Sequence, residues 1–134
     1  IAEMIQCLFA KRVVFHRQDG EVAPGITLHR MQGHTMGMQS VRVRTPRGWV
    51  LLASDASHYY EHWLKRIPFS ICWSRENLLS SYELFEKLAE SEDHVIPGHD
   101  PLVKNLYPHS STDLGPEAVR LDLNPSRPVK GLFS

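Results

Sequence analysis

The chain has 134 residues, 42% of them apolar, and its 15 Lys plus Arg balance its 15 Asp plus Glu. That length fits one domain with a modest core, and the composition is globular rather than disordered. The neutral balance carries no basic nucleic-acid footprint, and the longest apolar runs, 5–10 (broken by Gln6) and 49–53, fall far short of the roughly 20 residues of a membrane span.

In chain order, Ile1, Met4, Ile5, Leu8 and Phe9 fall at helical spacing, a stripe that wants a buried partner. Residues 13–15 are a short β-prone run. Alternation predicts strands near 26–31 and 39–45, and Pro46-Arg47-Gly48 joins the second to an apolar strand at 49–54 as a hairpin. Residues 57–66 read as a short helix or an irregular loop. Ser74 caps a helix predicted over about 75–91, with Leu78, Leu79, Tyr82, Phe85 and Leu88 as one apolar stripe. A last strand is expected at 94–97, and a further one hides at 118–123. Residues 1–134 read as a single partial domain with a Pro/Ser-rich tail from about 108. Cys7 and Cys72 make no disulfide framework, so a reducing, cytoplasmic compartment is expected.

Three loops each follow a predicted strand and each holds a potential metal ligand. They are Gly33-His34-Thr35-Met36-Gly37-Met38-Gln39, Ser54-Asp55-Ala56-Ser57 and Pro97-Gly98-His99-Asp100. Strands of one sheet bring their ends together, so His34, Asp55 and His99 are candidates to converge. Imidazole nitrogen with carboxylate oxygen suits Zn²⁺ and related first-row ions. Taken singly, each of these residues also reads as an ordinary loop residue or turn former.

The motifs go further. GHTMGMQ resembles the GHTxGx(Q/H) segment of the metallo-β-lactamase fold. LLASDASHYY resembles the strand and bridging aspartate of that superfamily, and VIPGHD its last metal-binding histidine. The SDAS form with PGHD is most similar to the N-acyl homoserine lactonase group. The motifs stand in the family's order, and the resemblance covers roughly residues 11–105. It implies an α/β fold: the C-terminal half of an αββα sandwich, a β-rich sheet with flanking helices. His34 would then ligate a first metal and His99 a second, with Asp55 bridging both. The ions are usually zinc, two in the complete parent. The family's metals generate a bridging hydroxide that attacks the lactone carbonyl, and one metal stabilises the oxyanion and the leaving alkoxide. The implied activity is quorum-quenching hydrolysis of the lactone ring of N-acyl homoserine lactones. The implied partner is a small acyl lactone or related ester, with no nucleic acid and no membrane.

Two departures matter. The family's first metal-binding motif, HxHxDH, is absent; upstream of His34 lie only His16 and His29, in no such motif. The chain is therefore expected to be an incomplete portion, and the isolated 134 residues to be inactive. Either the missing N-terminal half or self-association is expected to cover the exposed sheet. Secondly, the lactonase group carries a Tyr three residues after the bridging Asp, where it contacts the substrate carbonyl. Here that position holds His58, with Tyr59 and Tyr60 next. Tyr59 serves if the loop shifts by one; otherwise both tyrosines pack. Asp100 either orients a ligand imidazole from behind or serves the loop turn. Residues 67–73 either line a pocket for an acyl chain or pack in a core or interface. Two rival functions remain beside the lactonase. One is a non-catalytic remnant or binding module of the same fold. The other is a thioesterase of the glyoxalase II kind, which the SDAS segment disfavours.

Overall fold

Alternation in one strand and an apolar run in the next form a hairpin near the middle of a five-stranded sheet. The computed structural model describes residues 1–110, 115 and 117–133. The strands are β1 (Gly20–Ala23), β2 (Ile26–Arg30), β3 (Gln39–Thr45), β4 (Gly48–Ser54) and β5 (Val95–Pro97), and they lie in that order across the sheet. The first four pair antiparallel, with Pro46 and Arg47 turning β3 into β4 at the Thr45↔Gly48 pair. β5 instead pairs parallel with β4, Leu51 opposite Val95 and Leu52 opposite Ile96. A parallel pair needs a crossover, and residues 55–94 supply it. They hold α2 (Tyr60–Leu64), α3 (Arg75–Leu88) and a 3₁₀ turn (Glu92–His94). Outside the sheet lie α1 (Ala2–Phe9) and α4 (Leu102–Leu106).

β4 is apolar on both faces because both are covered. On one face Leu51 and Ala53 pack with Met31, Val95 and the α3 residues Leu78, Tyr82 and Phe85. On the other, Val50 and Ile96 pack with Tyr60, Leu106, Tyr107 and Val129. Ser74 caps α3, its side chain accepting from the Asn77 N–H at 3.2 Å, and Leu78, Tyr82 and Phe85 fall on one stripe. The neighbouring part of the sheet is one-sided. Ile26, Val43 and Val50 stand in one register row and Leu28, Val41 and Leu52 in the next. Ile26, Leu28, Val41 and Val43 are only half-buried. On the opposite face the guanidinium groups of Arg42 and Arg44 lie 4.3 and 5.4 Å from the Trp49 ring centre.

The structure departs from the sequence expectations at several points. Residues 13–15 form no strand: Val13, Val14 and Phe15 are exposed, and the sheet begins with β1 instead. The long helix stops at Leu88, and residue 94 belongs to the 3₁₀ turn. The expected strand at 118–123 reduces to one bridge, Val119 opposite His109. The N-terminal helix forms, but none of its residues is buried, and Met4 and Phe9 are 68% and 83% exposed. No helix among the described residues is long and apolar enough to cross a membrane.

Candidate metal centre

Parallel pairing puts the C-terminal ends of β4 and β5 side by side, and the two loops that follow are bonded to each other. The Gly98 N–H donates to the Ser57 carbonyl at 2.9 Å, and the His99 N–H to that of His58 at 3.0 Å. Ser54 turns the chain out of β4 with φ 49°, a left-handed conformation uncommon for a residue with a side chain. Gly98 is what allows the close approach: a Cβ there would sit 2.7 Å from the Ser54 carbonyl oxygen. The product is a tight cluster. His99 Nε2 lies 2.5 Å from Asp55 Oδ1, and His58 Nε2 lies 3.7 Å from the same oxygen. One donor atom from each of Asp55, His58 and His99 lies within 4.8 Å of the others.

His34 arrives from another loop. The Met31 N–H donates to the Met38 carbonyl at 2.9 Å and closes that loop. Gly33 then runs against α3, with φ 141° and no room for a Cβ, which would meet the Leu78 Cα at 2.5 Å. Two bonds hold the contact, Trp73 N–H to His34 carbonyl at 3.1 Å and Ser74 N–H to Gly33 carbonyl at 3.0 Å. The His34 ring stands 5.7 Å from that of His58, centre to centre. Its Nδ1 lies 2.9 Å from the Ile71 carbonyl oxygen. A carbonyl only accepts, so Nδ1 carries the proton and Nε2 keeps a lone pair, the tautomer of a metal ligand.

The surroundings are aromatic. Phe69 stacks on His58 with ring centres 3.9 Å apart and planes at 18°. His62 follows, 5.3 Å from Phe69, and Tyr59 closes edge-on to His62 at 5.1 Å. Tyr59 is 44% exposed, on the rim of this string of rings. Burial first, and the neighbouring His99 second, hold His58 below the ordinary imidazole value, which favours its neutral form. Tyr60, next in sequence, is buried and far from this chemistry's pH range, its phenol pushed well up by burial.

Asp100 serves the loop. Its two oxygens accept from the Tyr60 N–H and the Leu102 N–H, both at 2.9 Å, so it ties α2 to α4 beneath the cluster. Residues 67–73 divide: Phe69 and Cys72 pack toward the core, whereas Ile71 and Trp73 are 74% and 57% exposed. His94 bonds to the Ser91 hydroxyl and the Arg47 carbonyl, and His29 to Thr27 and Asp19.

His58 is the cluster member that the sequence does not mark as a ligand. The available signal is an Asp-x-x-His spacing on a loop after a strand. The fit to a metal rests on donor chemistry. Two imidazole nitrogens and a carboxylate oxygen meet at one point, and a third imidazole with a free Nε2 stands beside them, a donor set suited to zinc.

No protein-family model matches the chain. It is 39% identical over 83 residues to an N-acyl homoserine lactonase of a Bacillus species, a match covering 61% of this chain and 33% of that protein. A lactonase of Bacillus cereus is 37% identical over 83 residues, with the same coverage. The chain thus spans about a third of the length of the curated relatives it matches. Among solved structures, an N-acyl homoserine lactone hydrolase superposes with a TM-score of 0.60 and 33% identity, over 67% of this chain and 36% of the other. That structure holds N-hexanoyl-L-homoserine, the product, at its catalytic metal centre. In sequence and in fold, this chain therefore matches one part of the N-acyl homoserine lactonases of the metallo-β-lactamase fold.

Proposed function

We propose that this chain is a portion, a single partial domain, of a metal-dependent hydrolase that opens the lactone ring of N-acyl homoserine lactones. The observation that carries the reading is the juxtaposition of Asp55 and His99 at the ends of two parallel strands, in a segment similar to lactonases. In the whole protein Asp55 would be shared between two cations, with His34 on the first and His99 on the second. Such cations, zinc by donor chemistry, would supply Lewis acidity and an activated water at neutral pH. The Asp55 carboxylate would offset their mutual repulsion. The Ile71 carbonyl holds the His34 ring in its ligating tautomer. Exposed Ile71 and Trp73, next to His34, offer an apolar surface for the acyl chain. Tyr59, on the rim, would meet the substrate carbonyl.

The half-buried row of Ile26, Leu28, Val41 and Val43 supports incompleteness, because a sandwich fold covers such a face with a second sheet. The upstream half, or another copy of the chain, covers it. The test is lactone ring opening with added Zn²⁺, comparing the 134 residues with a chain extended upstream through an HxHxDH motif. The extended chain turns over, the 134 residues do not, and Asp55→Asn abolishes the extended chain's activity. Efficient turnover by the 134 residues alone would overturn the assignment of roles.

A further inference from the structure

His58 stands where the lactonase pattern has a tyrosine, and its geometry is that of a ligand. Resting on the metal-hydrolase reading above, we propose that His58 joins Asp55 and His99 on the second cation, so that these three side chains hold one divalent cation within this chain alone.

A four-coordinate zinc with bonds of about 2.0–2.1 Å spaces its donor atoms roughly 3.3–3.4 Å apart. His58 Nε2 is 3.7 Å from Asp55 Oδ1, close to that spacing and beyond a hydrogen bond. The 2.5 Å contact between His99 Nε2 and Asp55 Oδ1 is a hydrogen bond, which opens by less than an ångström to admit the ion, the imidazole proton passing from Nε2 to Nδ1 through solvent as the tautomer changes. All three donors already lie within 4.8 Å of one another.

The rings are held by groups other than the ion. Phe69 stacks flat on His58, and the His58 carbonyl accepts from the His99 N–H at 3.0 Å. One short bond therefore fixes the two loops that carry the two ring ligands. His34 stands outside this set: its ring is 5.7 Å from that of His58, and with Nδ1 committed to the Ile71 carbonyl its Nε2 is left for the first cation. A tyrosine three residues after the aspartate has a phenol to offer a substrate carbonyl. An imidazole at that position has a lone pair to offer a cation. The substitution thus adds a ligand.

The test is metal binding, not turnover. The 134-residue chain is titrated with Zn²⁺ by calorimetry and with Co²⁺ by visible absorption. The expected result is one ion per chain and the intense visible bands of four-coordinate Co²⁺. Removal of an outer partner of a ligand costs roughly 10–100-fold in affinity, so His58→Gln should cost more than that, and His29→Gln nothing. His58→Tyr keeps an aromatic ring against Phe69 and guards against a folding failure; it should weaken binding as His58→Gln does. In ¹H–¹⁵N histidine spectra of the unaltered chain, Zn²⁺ should shift the His58 Nε2 resonance. Failure of the chain to bind an ion overturns the proposal, as does undiminished affinity in His58→Tyr. The ligand assignment stands or falls on these readouts, and the hydrolase reading on turnover by the extended chain.

Discussion

At Gly98 a methyl group would lie 2.7 Å from the Ser54 carbonyl oxygen, so Gly98→Ala forces the β4 and β5 loops apart. The expected cost is about 1–3 kcal/mol of folding stability, read from urea denaturation. It should come with a loss of Zn²⁺ affinity larger than any fall in stability of the metal-free chain explains. His62 gives a pH prediction. Burial lowers its pKa, against smaller opposing effects of Glu61 and Asp100. The unfolded chain therefore binds the proton more readily, and stability rises with pH between the folded and unfolded values. The contribution is full above about 6.5 and is lost as pH falls through the lowered value; His58 acts in the same direction. The urea midpoint of the metal-free chain should drop between pH 7 and pH 5, and His62→Gln should flatten that drop. A midpoint that climbs on acidification would contradict the sign. At this scale the sequence exposes Asp55 and His99 through their glycine-bearing or turn-forming loops. It hides His58, because nothing in a lone histidine beside two tyrosines tells which way its ring turns. That depends on Phe69, eleven residues on and held by the core.

Among the elements, α3 is anchored at its first turn by Ser74, which both caps the helix and bonds to the Gly33 carbonyl. Ser74→Ala removes only the side-chain cap, so about 1 kcal/mol of stability should be lost; thermal unfolding would show a cost well beyond that if the hydroxyl had a further role. For α1 the expectation is the opposite. None of its residues is buried, so deleting residues 1–10 should change the free energy of unfolding by no more than about 0.5 kcal/mol. A loss of about 2 kcal/mol would show packing that the burial does not. The legible elements are those whose local pattern and tertiary environment agree. β3 and β4 carry alternation, an apolar run and a turn, and α3 carries a cap and a stripe. Residues 13–15 have the β-prone composition and no partner strand. β1, with the sequence GEVA, has no pattern and pairs because β2 offers it an edge through Gly20↔Leu28 and Glu21↔Thr27. Residues 118–123 alternate weakly and find only His109. Strand identity in these places is decided by neighbours, which one segment's sequence does not contain.

For the whole molecule the sheet is covered on both faces at β4 and β5 and on one face short of that at β2 and β3. An in-register apolar row left only partly buried favours association. In sedimentation the 134-residue chain should show concentration-dependent self-association, and Leu28→Lys with Val41→Lys should shift it toward monomer. A monodisperse monomer of the unaltered chain would count against that. The topology has one more effect. Asp55 and His99 meet although 44 residues separate them. A cation gripped by both would act as a removable cross-link, closing a loop of that length in the unfolded chain. The chain-entropy treatment of such closures gives about 4 kcal/mol, comparable to a native disulfide. The parallel seam that assembles the ligands would therefore also let the ion staple the fold, and a chelator would loosen it.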